Sequence, residues 1–201
     1  MQKIVLILSI IAYGACNGPN KKTLPMEAPT PTPDTKAWDT VSTQVNTIVP
    51  YEDEDTVILL GRATRAGFEQ PPFNDWFDEN YNGSSVDPSK IAALRPLFNN
   101  VKIKIFMGTW CEDSRREIPR LYKILDTIGF DRNNFETIAI SPDKTTPEGY
   151  EKGVDIEYVP TIIFYKNEKE IGRYVEYARK TLEDDMVSIL SGKPYKHSYE
   201  D

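Results

Sequence analysis

The fold of this chain is decided by residues 101–114, which read VKIKIFMGTWCEDS. The run from Val101 to Met107 is rich in β-branched and apolar residues, which predicts a buried strand. Residues 108–110 then lead to Cys111, and a helix is predicted from about Ser114 to Ile128. A strand that passes directly into a helix places Cys111 at the helix N-terminus, at one end of the sheet.

Cys111 is a candidate nucleophile. Unpaired backbone N–H groups and the positive end of the helix dipole favour a thiolate at this position, and the thiolate is the reactive form. A Ser114 hydroxyl that donates to the sulfur would add to this effect, whereas the charges of Glu112 and Asp113 oppose it. The chain has two cysteines, and Ser114 stands where a dithiol enzyme would keep its second sulfur.

Each of these residues also has a structural interpretation. Ser114 and Glu117 form a capping-box pattern, so Ser114 is a candidate N-cap. Cys111 is compatible with a buried, inert thiol. Trp110 is compatible with core packing as well as with substrate contact. The sequence leaves these alternatives open.

Composition excludes several classes of function. The 201 residues include 24 Lys and Arg against 31 Asp and Glu, and no basic run alternates with aromatic residues, so nucleic acid is not an expected partner. The single histidine, His197, leaves almost nothing from which to build a zinc site or a His-based triad. We therefore predict no metal and no cofactor.

Residues 1–15 are predicted to be an export signal. Lys3 supplies the positive charge, and the apolar stretch from Ile4 to Ile11 is too short to span a bilayer. Gly14 and Ala15 directly before Cys16 resemble a bacterial lipobox, which predicts a lipid-modified Cys16 and a lipoprotein anchored in the cell envelope, facing the periplasm. Ordinary cleavage after Gly14 is the alternative, and both place the chain outside the cytoplasm.

The rest of the chain divides into a tether, a domain and a tail. Residues 16–50 hold six of the fifteen prolines, which predicts an extended, polyproline-like tether. Residues 51–192 form the predicted domain, and residues 193–201 a C-terminal tail. The size suits one domain with extensions.

Hydrophobic periodicity and turn residues predict the remaining elements. The predicted strands are 56–60, 135–140, 161–165 and 170–175, and the predicted helices are 71–81, 87–98, 147–152 and 181–190. The aromatic face of helix 71–81 is typical of core packing, with a wall beside the active site as the alternative. The order of elements predicts an α/β fold in which a central mixed sheet carries helices on both faces.

These residues resemble the thioredoxin superfamily over about residues 56–190. Trp110-Cys111-x-x-Ser114 matches the family's Trp-Cys-x-x-Cys except at its last position, Pro119 lies where the family interrupts its active-site helix, and Val159-Pro160-Thr161 matches the segment before its hairpin. The resemblance implies a three-layer thioredoxin-like fold with a cis Pro160. Cys111, Ser114, Trp110 and Pro160 would then be catalytic, while Val159 and Thr161 would bind an extended substrate. Ile105 replaces a buried acid that the family often keeps.

The function that the resemblance implies is thiol–disulfide exchange with one nucleophilic sulfur. Without a second thiol, the mixed disulfide on Cys111 must be released from outside, which is the chemistry of a monothiol reductase or isomerase. The expected partners are disulfide- or thiol-bearing envelope proteins and low-molecular-weight thiols. A redox-silent peptide-binding module and a covalent trap that holds partners through Cys111 are the alternatives.

Overall fold

The computed structural model describes residues 44–200, with the backbone alone at residues 53–55. Within this range, six strands form one mixed sheet in the order β1-β2-β4-β3-β5-β6, and only β3 and β4 run parallel. The strands are β1 Thr47–Tyr51, β2 Asp53–Ala63, β3 Val101–Met107, β4 Phe135–Ala139, β5 Thr161–Lys166 and β6 Lys169–Val175. The predicted export signal, Cys16 and most of the tether lie outside the described residues.

In the part of the chain that the structure describes, five α-helices accompany the sheet: α1 Arg65–Phe68, α2 Asn74–Gly83, α3 Pro88–Leu94, α4 Glu112–Ile128 and α5 Leu182–Leu190. The predicted caps are confirmed. Asp87 precedes α3 and accepts a hydrogen bond from the backbone N–H of Ser89 at 2.8 Å. Thr181 precedes α5 and accepts one from the backbone N–H of Asp184 at 3.1 Å. Each cap satisfies an N–H group that the helix leaves unpaired.

The main core lies between one face of the sheet and the helices. Ile103, Ile105 and Met107 of β3 project to this side, and all five helices contribute buried side chains to the same cluster. Alternate residues of a strand point to opposite faces, which explains why these three residues share one side.

The aromatic face of α2 is part of this core, as the sequence predicts. Phe77 is fully buried and stacks on Phe68, with ring centroids 5.6 Å apart and planes inclined by 11°. Tyr122 of α4 meets both rings edge-on. These contacts fix α2 against α4, so the aromatic face of α2 is core packing and not a wall beside Cys111.

The opposite face is covered differently from the prediction. Phe106, Ile138 and Ile163 form a second cluster there, and the covering segment, residues 141–158, contains turns and bends but no helix. The prediction of a helix at 147–152, and with it of helices on both faces, is wrong for the described part of the chain. The reason is local.

In this segment the Thr146 N–H and hydroxyl both donate to the Glu151 carboxylate, at 3.0 and 2.7 Å. The N–H of Tyr150 in turn donates to the Thr146 hydroxyl at 2.9 Å. Gly149 and Gly153 adopt positive φ angles of 73° and 74°, a region that glycine enters without strain. Side-chain hydrogen bonds of this kind compete with helix formation.

Of the boundaries that differ from the expectation, two bear on the domain start and on the site. Strand β1 begins at Thr47, ahead of the domain start expected at residue 51, and pairs antiparallel with β2. Helix α4 begins at Glu112 with Cys111 as its N-cap, so it starts earlier than predicted. The second shift changes the role of Ser114.

Candidate functional site

Cys111 lies where β3 ends and α4 begins. The 108–110 loop connects the two elements, and the carbonyl of Cys111 accepts the first helical hydrogen bond, from the N–H of Arg115 at 3.0 Å. The side chain is half-buried, and it forms no disulfide among residues 44–200. Its Sγ donates to the carbonyl oxygen of Val159 at 3.3 Å. The sulfur therefore touches a loop that is distant in sequence.

That loop contains the predicted substrate-binding residues. The Val159–Pro160 peptide bond is cis, as the resemblance implies. The Thr161 hydroxyl donates to the carbonyl of Tyr158 at 2.7 Å, and the Glu176 N–H donates to the carbonyl of Pro160 at 2.7 Å. The side chains of Val159, Pro160 and Thr161 are buried, so this loop presents mainly backbone to a ligand.

Trp110 directly precedes Cys111, and its indole ring is held by one hydrogen bond and one cation–π contact. Its indole Nε1 donates to the carbonyl of Ile140 at 2.8 Å, and the Lys144 ammonium lies 5.0 Å from the ring centroid. A Cβ at Gly108 would lie 2.5 Å from the indole ring, which is closer than real contacts allow. Glycine is therefore required at position 108 for Trp110 to fold back over β3.

Ser114 is fully buried inside the first turn of α4 and does not cap the helix, so the capping-box interpretation is wrong. Its Oγ accepts a hydrogen bond from the N–H of Gly108 at 3.2 Å. Within residues 44–200 no hydrogen bond joins Ser114 Oγ to Cys111 Sγ. Because the helix starts at Glu112, the Ser114 side chain points back toward the end of β3 and stabilises the loop.

The charges near the start of α4 are largely paired with one another. Arg116 binds the carboxylates of Asp113 at 2.5 Å and Glu117 at 2.9 Å. The Nε of Arg115 donates to the carbonyl of Thr109 at 2.5 Å. These cations thus hold the helix entry in place. Glu117 is itself buried, and the ion pair offsets the cost of that burial.

The residues that flank the Pro160 loop were not predicted from the sequence. The ring of Tyr199, from the C-terminal tail, stacks parallel on Tyr158, with centroids 3.8 Å apart. The Tyr199 hydroxyl donates to the carboxylate of Glu176. Burial and, secondarily, the negative charge of Asp113 raise the pKa of Glu176. No local pattern links positions 158, 176 and 199, because the contact exists only in the folded chain.

Residues 44–200 contain no cluster of three or more His, Cys, Asp or Glu side chains arranged to hold a metal ion. In the same range, no helix is both long enough and apolar enough to cross a bilayer.

No protein-family model and no curated protein matches this chain. Among solved structures, a protein of unknown function from Pseudomonas aeruginosa superposes with a TM-score of 0.47 at 14% identity, over 59% of this chain and 84% of its own. An HIV epitope scaffold superposes with a TM-score of 0.50 at 13% identity, over 64% of this chain and 90% of its own. At such low identity the second likeness concerns the fold alone.

Proposed function

We propose that this chain is a thioredoxin-like thiol–disulfide exchange protein with Cys111 as its single nucleophile. The observation that carries the proposal is the position of the sulfur: at the N-terminus of α4, half-buried, and 3.3 Å from the carbonyl that precedes cis Pro160. The parallel β3-α4-β4 unit followed by the β5-β6 hairpin and α5 supports a thioredoxin-like arrangement. An irregular segment takes the place of helices on the second face.

The first step is the attack of the Cys111 thiolate on one sulfur of a partner disulfide. A new S–S bond forms to Cys111, the partner's S–S bond breaks, and its second sulfur leaves as a thiolate that takes a proton from water. Cys111 is thereby oxidised and the leaving sulfur reduced, so the electrons balance. Val159 and Pro160 border the sulfur, and their backbone offers an extended peptide a place to lie.

The second step needs a thiol from outside the chain. Ser114 is buried against Gly108, and a hydroxyl does not attack disulfides. In one route, a low-molecular-weight thiol attacks the partner's sulfur in the mixed disulfide and returns Cys111 to the thiol, and a second such thiol then leaves as a disulfide with the first and frees the partner's thiol. In the other route, a partner cysteine different from the one that left in the first step attacks, forms a new disulfide within the partner and returns Cys111 to the thiol. The first route reduces the partner, and the second isomerises it.

The proposal includes a place in the cell. Export directed by residues 1–15 and a lipid on Cys16 would tether the domain to a membrane of the cell envelope, with its site facing the periplasm. We expect Cys16→Ala to release the protein from the membrane fraction. Retention of this variant in the membrane would contradict lipid anchoring without touching the chemistry of Cys111.

The test of the chemistry uses the full chain carrying Cys16→Ser, so that Cys111 is its single thiol. The protein is mixed with neutral hydroxyethyl disulfide, and the mixed disulfide is followed by mass spectrometry. We expect faster adduct formation in the folded chain than in the same chain unfolded in urea, and release of the adduct by glutathione. A folded rate no greater than the unfolded rate would refute the proposal, and Cys111→Ser supplies the blank.

A redox-silent binding module is the second candidate. It is favoured by the exposed rings of Tyr158, Tyr177 and Tyr199, which lie beside the Pro160 loop. Exposed aromatic groups of this kind mark many binding surfaces. If partners captured by the wild-type chain are retained equally by Cys111→Ser under reducing conditions, binding without exchange is the better account.

A further inference from the structure

A cavity of about 390 Å³ lies next to the Pro160 loop. Its floor includes Thr161 of β5 with Gly172 and Val175 of β6, one wall is the 155–158 segment, and the other is the C-terminal segment 195–200. Tyr158 belongs to the first wall and directly precedes Val159, whose carbonyl contacts Cys111 Sγ. The cavity therefore begins one residue from the loop that touches the reactive sulfur.

The uncompensated charge of this cavity is negative. Arg173, the one arginine that lines the cavity, donates two hydrogen bonds of 2.7 Å to the Glu170 carboxylate. It also donates to the carbonyls of Val154 and Asp155, at 2.9 and 3.2 Å. The carboxylates of Asp155 and Glu157 have no ion-pair partner among residues 44–200. Both line the cavity, and both are exposed.

Aromatic side chains complete the walls. Tyr158 and Tyr199 form the stacked pair described above, and Tyr195 lies on the same side as Tyr199. Tyr195 is held in place because its hydroxyl donates to the buried carboxylate of Asp185 at 3.2 Å. Aromatic rings and carboxylates together attract a cationic group, through the ring quadrupole and through charge.

We propose that this cavity receives a lysine or arginine side chain of the disulfide partner. The inference rests on the proposed function and adds a substrate preference to it. A peptide joined to Cys111 and lying along Val159 advances roughly 3.3 Å per residue. A side chain within about two residues of the partner's cysteine therefore reaches the wall formed by Tyr158 and Glu157. The cavity would select for cationic residues flanking the cysteine that Cys111 attacks.

The test compares three synthetic peptide disulfides that differ only in charge. Each is the disulfide dimer of Ac-Gly-X-Cys-X-Gly-amide, with X as arginine, glutamine or glutamate. The rate of adduct formation is measured on the full chain carrying Cys16→Ser. Because flanking charge also changes the reactivity of the peptide itself, each rate is divided by the rate of the same peptide with N-acetylcysteine.

The cavity variant is Asp155→Asn with Glu157→Gln, and the matched control is Asp78→Asn with Glu79→Gln, which removes two exposed carboxylates from α2. We expect the corrected arginine-to-glutamate ratio to fall on the order of threefold in the cavity variant. The control should keep the wild-type ratio. The glutamine peptide should react equally with all three proteins.

The outcomes separate the two proposals. A ratio that is the same in the cavity variant and in the wild-type chain overturns the cationic preference, while reaction of the glutamine peptide leaves the exchange function standing. If no peptide reacts faster than it does with N-acetylcysteine, the exchange function itself fails. An equal loss of ratio in the control variant shows that general surface charge, and not the cavity, selects the peptide, and also overturns the inference.

Discussion

Replacement of Ser114 by alanine should destabilise the domain without disabling Cys111. The Ser114 side chain is fully buried, and its Oγ accepts the N–H of Gly108 at 3.2 Å. Gly108 is buried as well, so the variant leaves a buried N–H without its acceptor. Leaving such a group unsatisfied costs about 1–3 kcal/mol. The cavity left by the missing hydroxyl is too small to add much to this cost. We expect the free energy of unfolding to fall by that amount.

The assay is urea unfolding followed by tryptophan fluorescence and far-UV circular dichroism, extrapolated linearly to water. Ser188→Ala is the matched control, because Ser188 is also helical but donates to the carbonyl of Asp184, at 2.9 Å, rather than satisfying a buried N–H. Its effect should lie within about 0.5 kcal/mol of zero. The rate at which Cys111 reacts with hydroxyethyl disulfide is measured on the same samples.

Two results would refute this reasoning. If Ser114→Ala unfolds at the same urea concentration as the parent chain, the bond to Gly108 does not stabilise the loop. If the variant keeps its stability but Cys111 reacts several-fold more slowly, then Ser114 acts on the sulfur and its role is not the stabilisation of the loop. A loss of stability with an unchanged rate is the expected combination.

Three further predictions concern sulfur, acid and phenol groups. In the Cys16→Ser background, Ser114→Cys should release two equivalents of thionitrobenzoate from Ellman's reagent where the parent releases one, because a second thiol resolves the mixed disulfide on Cys111; a single equivalent would contradict this. Burial raises the pKa of Asp185 above its usual 3.8, so the folded state takes up this proton first as the pH falls. As the pH falls through this raised pKa, Asp185 therefore adds to the free energy of unfolding, and its full contribution is present below pH 3.8. The pH profile of Asp185→Asn should lack this contribution. Burial also raises the pKa of Tyr122 and Tyr165 to about 12, and it raises the pKa of Tyr174 and Tyr195 further. Absorbance at the phenolate band should therefore show these four ionising after the exposed tyrosines; Tyr122→Phe and Tyr165→Phe should each remove one phenolate from the late phase, and a late phase of unchanged amplitude would argue against the assignment.

Local patterns account for the elements that were predicted well. The strand at 101–107 and the caps at Asp87 and Thr181 follow from side-chain periodicity and from hydrogen bonds within a few residues. The helix predicted at 147–152 does not form because Thr146 and Glu151 close a turn, and hydrophobic periodicity does not reveal side-chain hydrogen bonds of this kind. Strand β1 was not predicted because residues 47–51 become a strand only by pairing with β2.

The order of chemistry-bearing residues along 101–114 was readable from the sequence alone, since a strand followed by a helix places the intervening cysteine at a helix N-terminus whatever surrounds it. The tertiary structure decided everything that joins distant positions. Cys111 meets Val159 across 48 residues, and Tyr199 meets Tyr158 and Glu176 from the far end of the chain. Such contacts depend on how the sheet twists and how the layers pack. The free energy that stabilises them comes from many buried side chains along the whole domain, and no single segment of the sequence contains it.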